Sequence, residues 1–532
     1  MKRKLIILFF TAGVMFVSCK KENFVKENID PNTLYSIAPE EQLLAAAVGS
    51  QNDFEYFYDV YRALNFWLQY TTNLAGNSPN FTNPTGNFNY RYGVYYGTVG
   101  RDLADIPHII ATMSPEDQAK YANLQNVATI FKAYYTFYVS DINGSIPYTE
   151  AFQGRYGGTL TPKYDSQQGL FDTLDLQIKN AVAGLKSSAA NQVDFKAKDP
   201  FYGTYADEIN KWIKAGNALR LKIATRLMKQ EPDKLKAIAA EVLADASNQM
   251  GSVEDSWVLY VGPSYADGTG NYNPDGFVAG RPVLNFLQSK QDPRLRIFYR
   301  PNKVGNYLGS FPSPDDAKLP ANTPLYKAED TLSELQHRLF TPNFDEGDGN
   351  GVGDGVGFFP VLTYAEYCFI RADLAARGFT NDNVSEWYNK GVTASITFYD
   401  QRAKAAKIAG YTSVSADEIT NYLAMPGIAF DASKASDQIA CQAYLDFFRQ
   451  PQEAWAWWKR TGYPNTNSVL AWDVLKSNGA VMTLPRRAPL SSKLPADANY
   501  ENQKAAYDEM LKDPNFGAGL GDAFGRVWWD KP

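Results

Sequence analysis

The chain has 532 residues, a formal net charge of −6 and 45% hydrophobic residues, which is enough for a large packed core. Its acidic balance argues against nucleic-acid binding, and three cysteines exclude a disulfide-rich scaffold. Metalloenzyme sites and nucleophile–histidine pairs usually need more than the two histidines present. The chain also has no P-loop and no GxSxG motif.

The first 18 residues have the features of a lipoprotein signal peptide. Residues 2–4 are basic, and residues 5–17 are apolar but shorter than the roughly 20 residues of a spanning helix. Ser18, a small residue, then precedes Cys19. We therefore expect lipidation at Cys19, although an ordinary signal peptide with a chance cysteine is the alternative. The expected organisation is a signal peptide at 1–18, a lipidated tether at 19–38 and one globular domain at 39–532.

The regular part of the chain is predicted to be mostly helical. Ser114 and Pro115 form a helix-start signal, and Gly378 is a helix-stop signal. The helices would form antiparallel pairs with small residues on their packing faces, as in tetratricopeptide units, although no strict 34-residue period exists. Unrelated amphipathic helices are the alternative. Apolar residues at helical spacing predict helices over 116–140, 207–229, 234–247, 363–377, 386–398, 436–449 and 452–460.

Three long stretches, 73–98, 257–282 and 299–360, have no such periodicity but are rich in aromatic residues. Loops of this length are usually functional or disordered, and aromatic residues argue against disorder. Aromatic rings beside amides suit the flat faces and hydroxyls of sugars, and also suit peptides. Packing inside the loop or contact with a partner is the alternative for each residue. The candidate ligand-binding residues are Trp67, Tyr70, Asn73, Asn77, Tyr90, Tyr92, Tyr95, Tyr96, Trp257, Tyr260, Tyr265 and Tyr272.

An acidic, glycine-rich stretch at 343–355 could hold Ca²⁺, which prefers oxygen ligands in turning loops. The spacing does not match an EF-hand, so a solvated acidic turn is the alternative. The candidate ligands are Asp345, Asp348 and Asp354.

Two further groups of residues are expected to be structural. The tryptophans of EAWAWWKRTGYP, residues 453–464, are predicted to pack in the core rather than to form a sugar platform, and Arg460 to pair locally. Cys368 and Cys441 lie in helical patterns, so they are predicted to be buried small residues, with a mutual disulfide as the alternative.

Several segments, in one order along nearly the whole chain, resemble the SusD/RagB-like nutrient-binding outer-membrane lipoproteins of Bacteroidota. The charged residues after Cys19 resemble the surface-export signal of that phylum. Asp373 stands where the family helix usually has Glu, and PRRAPL at 485–490 departs from the family's Arg-Arg-x-x-Tyr-Pro ending. The matching segments are DINGSIPYTEAF at 141–152, WIKAGNALRLKIATRL at 212–227, TYAEYCFIRADLAARG at 363–378, EAWAWWKRTGYP at 453–464 and WWDK at 528–531.

This resemblance implies four tetratricopeptide-like helix pairs and a more irregular half that carries the ligand face. It also implies a SusC-like TonB-dependent transporter as partner, over which the protein acts as a lid, and no catalytic residue or cofactor. The expected function is binding of an oligomeric nutrient, a glycan rather than a peptide, at the cell surface. A glycoside hydrolase and a structural lid without its own ligand are the alternatives, and the sequence does not identify the ligand.

Overall fold

The computed structural model describes residues 37–84, 88–262, 274, 276–328, 331–341 and 355–532. Helices dominate these residues. The first half contains nine α-helices among its described residues, interrupted by π-helices at Glu55–Leu64 and Tyr95–Val99. They are α1 Pro39–Gly49, α2 Asn65–Trp67, α3 Tyr90–Val94, α4 Gly100–Ala111, α5 Pro115–Lys120, α6 Ala122–Asn143, α7 Gln167–Lys186, α8 Glu208–Thr225 and α9 Pro232–Leu243.

The described residues of the second half contain ten further α-helices, several of them single turns. They are α10 Arg281–Ser289, α11 Leu295–Phe298, α12 Pro314–Ala317, α13 His337–Phe340, α14 Tyr364–Ala376, α15 Val384–Ala405, α16 Ala416–Leu423, α17 Ala435–Asp446, α18 Pro451–Thr461 and α19 Tyr500–Met510.

Four pairs of consecutive helices pack against each other: α6 with α7, α8 with α9, α14 with α15, and α17 with α18. The last three pairs agree with the helices predicted from the sequence, whereas α7 was not among them. Contacts of α7 with α8, α8 with α14, and α14 with α17 join the pairs into one scaffold. Two glycines allow close approach. A Cβ on Gly216 of α8 would lie 2.6 Å from Val182 of α7, and one on Gly391 of α15 would lie 2.6 Å from the Phe369 ring of α14.

The described residues contain three two-stranded antiparallel sheets, of which two connect distant parts of the chain and the third is a local hairpin. Their strands are β1 Thr71–Asn73, β2 Trp257–Val261, β3 Phe277–Ala279, β4 Gly357–Leu362, β5 Lys476–Ser477 and β6 Ala480–Val481. β1 pairs with β3, with Asn73 opposite Phe277, and β2 pairs with β4. The first of these sheets fixes the long loop after α2 to the scaffold.

The predicted helix ends agree with the structure where a capping residue is present. Ser114 accepts a hydrogen bond from the Asp117 amide at the start of α5, and Gly378, with φ of +73°, follows α14. The prediction of one helix over 116–140 was wrong at Tyr121, where the backbone leaves the helical region and separates α5 from α6.

The irregular stretch predicted at 73–98 is helical in its last part, where α3 continues into the π-helix Tyr95–Val99. Its buried residues recur every four positions, at Arg91, Tyr95 and Val99. Arginine at the first of these positions hid the periodicity, because arginine is rarely buried unless it is paired.

Cys368 and Cys441 are buried free thiols, as predicted. Burial raises the pKa of Cys368 to about 12, so this thiol is protonated and unreactive at neutral pH. Across the described ranges, no helix is both long and apolar enough to span a bilayer.

Candidate functional site

A cavity of about 640 Å³ opens beside the π-helix Glu55–Leu64, within the size range of ligand pockets. Its wall combines aromatic rings with asparagine and serine side chains, a composition that suits a ligand with both apolar faces and hydroxyls. It is lined by Tyr58, Arg62, Ala63, Phe66, Trp67, Asn73, Gly76, Ser78, Asn80, Phe81, Asn83, Pro84 and Phe88.

A second cavity of about 530 Å³ adjoins the first, and the two share Arg62 and Asn73. The Arg62 guanidinium lies 4.2 Å from the centre of the Phe57 ring, which lines the second cavity. We call the two cavities together the groove. Because its two halves meet at one arginine and one asparagine, the groove can accept an extended ligand that is hydrogen-bonded at its middle.

Three nearly parallel rings at the edge of the groove form a cluster, which we call the aromatic platform: Phe54, Tyr58 and Tyr90. Their planes lie within 16° of parallel, and their centres are 5.5, 5.8 and 6.3 Å apart. Nearly equal separations mean that the rings form a triangle rather than a column. Phe54 is 46% exposed, so the platform faces solvent.

The π-helix places two of these rings. Phe54 and Tyr58 lie four residues apart, and Arg62 lies four residues further along, so all three project from one side. π-Helical turns are rare and occur often at functional sites. The π-helix therefore places the platform beside Arg62 of the groove.

Asp59 places the third ring. Its carboxylate is buried and accepts hydrogen bonds from the backbone amides of Asn89, at 3.0 and 3.2 Å, and Tyr90, at 2.9 Å. Asn89 has φ of +99°, a conformation that asparagine tolerates better than most residues. The carboxylate thus caps α3 and holds Tyr90 against Tyr58.

A buried charge cluster supports this cap from below. The Tyr138 hydroxyl donates to Glu55, and the Arg91 guanidinium lies 3.7 Å from the centre of the Tyr138 ring and 3.6 Å from Glu55. Burial, with the nearby Glu55 carboxyl, raises the pKa of Asp59 well above its usual range. Burial also raises the pKa of Glu55, although Arg91 opposes this.

Replacing Asp59 by alanine is expected to lower the free energy of unfolding by about 1–3 kcal/mol, because two backbone amides lose their buried acceptor. The ring of Tyr90 should also become more mobile, which tyrosine ring signals in NMR spectra would report. Asp172→Ala on α7, which removes a partner of Lys234 at the surface, is the matched control. Equal effects of the two substitutions on unfolding would contradict the capping role of Asp59.

Four of the predicted ligand-binding residues have fully buried side chains: Trp67, Tyr70, Tyr95 and Trp257. Tyr70, Tyr95 and Trp257 do not line the groove, whereas Trp67 forms part of its wall. The long loops have a core of their own, and the sequence does not distinguish a loop-core ring from a ligand-facing ring. Trp67 donates to the Phe81 carbonyl at 2.9 Å within the wall of the groove. Tyr70 stacks on Tyr444 with ring centres 4.2 Å apart.

Four other predicted residues have structural contacts that account for their positions. The Tyr96 hydroxyl donates to the Pro147 carbonyl at 2.7 Å, and Tyr92 packs against Tyr96. Asn77 is buried and donates to the Pro312 carbonyl at 3.0 Å. Tyr260 lies under the Arg402 guanidinium, 4.6 Å from its ring centre.

Three predicted residues lie at the groove, Trp67 and Asn73 in its wall and Tyr90 in the platform. Their role in ligand binding stays a prediction. Residues Cys19, Tyr265 and Tyr272 lie outside the described residues, as do the candidate calcium ligands Asp345, Asp348 and Asp354. In the part of the chain that the structure describes, no group of three His, Cys, Asp or Glu side chains is placed to hold a metal ion.

Phe54, Tyr58 and Arg62 were not among the ligand-binding residues predicted from the sequence. The available signal was their spacing of four residues, within a segment that otherwise places Val60, Tyr61 and Leu64 in the core. Large aromatic residues on the polar side of a helix are unusual and mark binding surfaces.

A family model of SusD-like proteins, described as starch-binding and associating with the outer membrane, matches residues 31–488. The chain belongs to the SusD-like family. A search of the curated proteins finds no match.

Solved structures of SusD homologues have the same fold. A chitin-binding protein aligns with a TM-score of 0.68 and 21% identity, covering 93% of this chain and all of that one. A SusD homologue from Bacteroides fragilis aligns with a TM-score of 0.68 and 21% identity, over 92% and 100% of the two chains. A chitin-binding SusD homologue from Flavobacterium johnsoniae aligns with a TM-score of 0.65 and 20% identity, over 93% and 98%.

The segments that resemble the SusD-like family meet in one buried charge network. Arg226, just after α8, donates to Asp141 of α6 at 2.8 Å and to Glu453 of α18 at 3.0 Å. Lys222 of α8 lies 3.1 Å from Glu453 and 2.8 Å from Glu366 of α14. The network therefore joins four helices of the scaffold that carries the groove.

Arg460 pairs with Asp373 of α14, which is distant in sequence, so the predicted local pairing of Arg460 was wrong. Trp455 and Trp457 are buried, which confirms core packing, while Trp458 is half-buried. The Trp455 ring packs 5.6 Å from Trp67, so the tryptophan helix supports the inner wall of the groove.

Proposed function

We propose that this SusD-like protein binds an oligosaccharide in the groove and delivers it to a SusC-like TonB-dependent transporter. The observation that carries the proposal is the aromatic platform beside a cavity lined by asparagines. Sugar rings present flat C–H faces that stack on aromatic rings, and their hydroxyls pair with amides. The chitin-binding SusD homologues with the same fold support a glycan rather than a peptide.

Hydrolysis is less well supported than binding. A glycoside hydrolase needs two carboxyl groups that flank the scissile bond. Among the described residues that line the groove, none carries a carboxylate. Incubation with an oligosaccharide that binds should therefore return it intact, and released product would support the hydrolase alternative.

The first experiment is calorimetric titration of the purified protein with chitooligosaccharides, maltooligosaccharides and peptides. Saturable binding of an oligosaccharide supports the proposal. Binding of peptides alone would contradict it. Copurification with the transporter but no binding to any member of the panel would favour a structural lid without its own ligand.

We also propose that the protein is anchored at the outer face of the outer membrane by lipid on Cys19. The tether at 19–38 would let the scaffold open and close over the transporter without leaving it. Labelling cells with a palmitate analogue should mark the wild-type protein but not Cys19→Ser. Release of the variant from the membrane fraction is the expected result, and equal labelling of both proteins would contradict the anchor.

A further inference from the structure

A separate cavity of about 320 Å³ lies between α4, α6 and α7, on the helical scaffold. Its floor is apolar and its walls are rich in amides. It is lined by Leu103, Pro107, Gln125, Asn126, Ala128, Thr129, Lys132, Tyr148, Gln177, Asn180 and Ala181. None of these residues lines the groove, so the two sites are distinct.

Lys132 is a half-buried cation in this cavity that lacks a counterion. Its ammonium forms no ion pair or hydrogen bond with any residue that the structure describes, and it faces the rings of Tyr148, at 5.0 Å, and Phe152, at 5.7 Å. No carboxylate lines the cavity. Burial lowers the pKa of Lys132 to about 8, which is the direction expected for an ammonium without an anion beside it.

The amides around Lys132 have free donors. The Tyr148 hydroxyl donates to the side-chain oxygen of Gln177, a residue that lines the cavity, and the Gln177 NH₂ group makes no hydrogen bond to another described residue. The side chains of Asn126 and Asn180 make no hydrogen bond to the other described residues. Polar groups that share a concave site and lack partners are arranged as in ligand pockets.

We propose that this cavity binds a small sugar acid, whose carboxylate pairs with Lys132 and whose hydroxyls bond to the surrounding amides. The carboxylate supplies the missing counterion, and the hydroxyls match the amide donors and acceptors. The cavity lies near the lower limit of ligand-pocket volumes, so it suits a single ring rather than an oligomer. The site is independent of oligosaccharide binding in the groove.

The test is calorimetric titration of the full-length protein with D-glucuronate, with D-glucose and inorganic phosphate as comparison ligands. We expect saturable binding of glucuronate, no binding of glucose, and at least a tenfold loss of glucuronate affinity in Lys132→Met. Affinity should also fall as the pH rises above about 8, because Lys132 then loses its charge.

Lys179→Met on α7, which removes an exposed partner of Glu241, is the control and should bind as the wild type does. Lys132→Met should fold, because it removes a half-buried charge that lacks a counterion, and a thermal melt checks this. Tyr58→Ala should keep glucuronate binding, so failure of the groove proposal can be distinguished from failure of the sugar-acid proposal. Absence of glucuronate binding, or equal binding by Lys132→Met, overturns the proposal. Equally tight binding of phosphate overturns the sugar-acid assignment.

Discussion

Arg226→Met is expected to lower the free energy of unfolding by about 3–5 kcal/mol, because it leaves buried carboxylates without their principal partner. Asp141 and Glu453 both accept hydrogen bonds from this guanidinium, and the arginine side chain is fully buried. Methionine keeps much of the aliphatic volume against Phe137 and Trp529. The loss therefore reports charge rather than packing, and urea unfolding at neutral pH measures it.

Lys234→Met is the matched control, since it breaks the half-exposed pair with Asp172 and should cost less than about 1 kcal/mol. A cost for Arg226→Met no larger than that for Lys234→Met would contradict the importance of the network. If adding Glu453→Gln to the same chain does not reduce the loss of unfolding free energy caused by Arg226→Met, then Arg226 acts through other contacts.

The contribution of this network to stability depends on pH. Burial would raise the pKa of Glu453, but Arg226 and Lys222 outweigh this and lower it to about 2. Its contribution to stability is therefore present above the unfolded pKa and is lost as the pH falls from about 4.5 towards 2. Burial raises the pKa of Glu366 to about 8, so the contribution of Glu366 to stability changes with pH in the opposite direction. Comparing wild type with Arg226→Met isolates the part of the stability that is lost in acid, and this part should be smaller in the variant.

Tyr58→Ala is expected to weaken oligosaccharide binding by at least tenfold, which corresponds to about 1.4 kcal/mol. Tyr58 is the ring common to the platform and the first cavity, and aromatic side chains of this kind dominate binding energies. The double variant Phe54→Ala/Tyr58→Ala removes two of the three platform rings, so it should bind below detection.

Tyr156→Ala is the control for this series, because Tyr156 is also an exposed aromatic residue but stacks on His108 away from the groove. It should bind as the wild type does. Urea unfolding should show that Tyr58→Ala remains folded, since Tyr58 is only half-buried. Equal losses in Tyr58→Ala and Tyr156→Ala would mean that surface aromatic residues affect binding without forming a defined site.

The helical scaffold could be predicted from sequence, because long helices with one buried face leave a 3.6-residue period. α8 and α14 were found in this way, and so were their partners. The ends of the helices were less predictable. The break at Tyr121 and the π-helix Glu55–Leu64 depend on tertiary packing, which no local pattern records.

The candidate site was only partly predictable, for a chemical reason. Tyrosine and tryptophan serve equally well to fill the core of a loop and to stack on a sugar. Tyr70 and Tyr58 lie twelve residues apart, yet the first is fully buried against Tyr444 and the second lines the open cavity. Only the fold assigns one ring to the core and the other to the ligand face.

We propose the groove with its aromatic platform as the glycan-binding site. Calorimetric titration of one oligosaccharide from the panel into wild type, Phe54→Ala/Tyr58→Ala and Tyr156→Ala tests it most directly. We predict saturable binding by wild type and Tyr156→Ala and none by the double variant. Undiminished binding by a folded double variant would contradict it and place the ligand elsewhere on the protein.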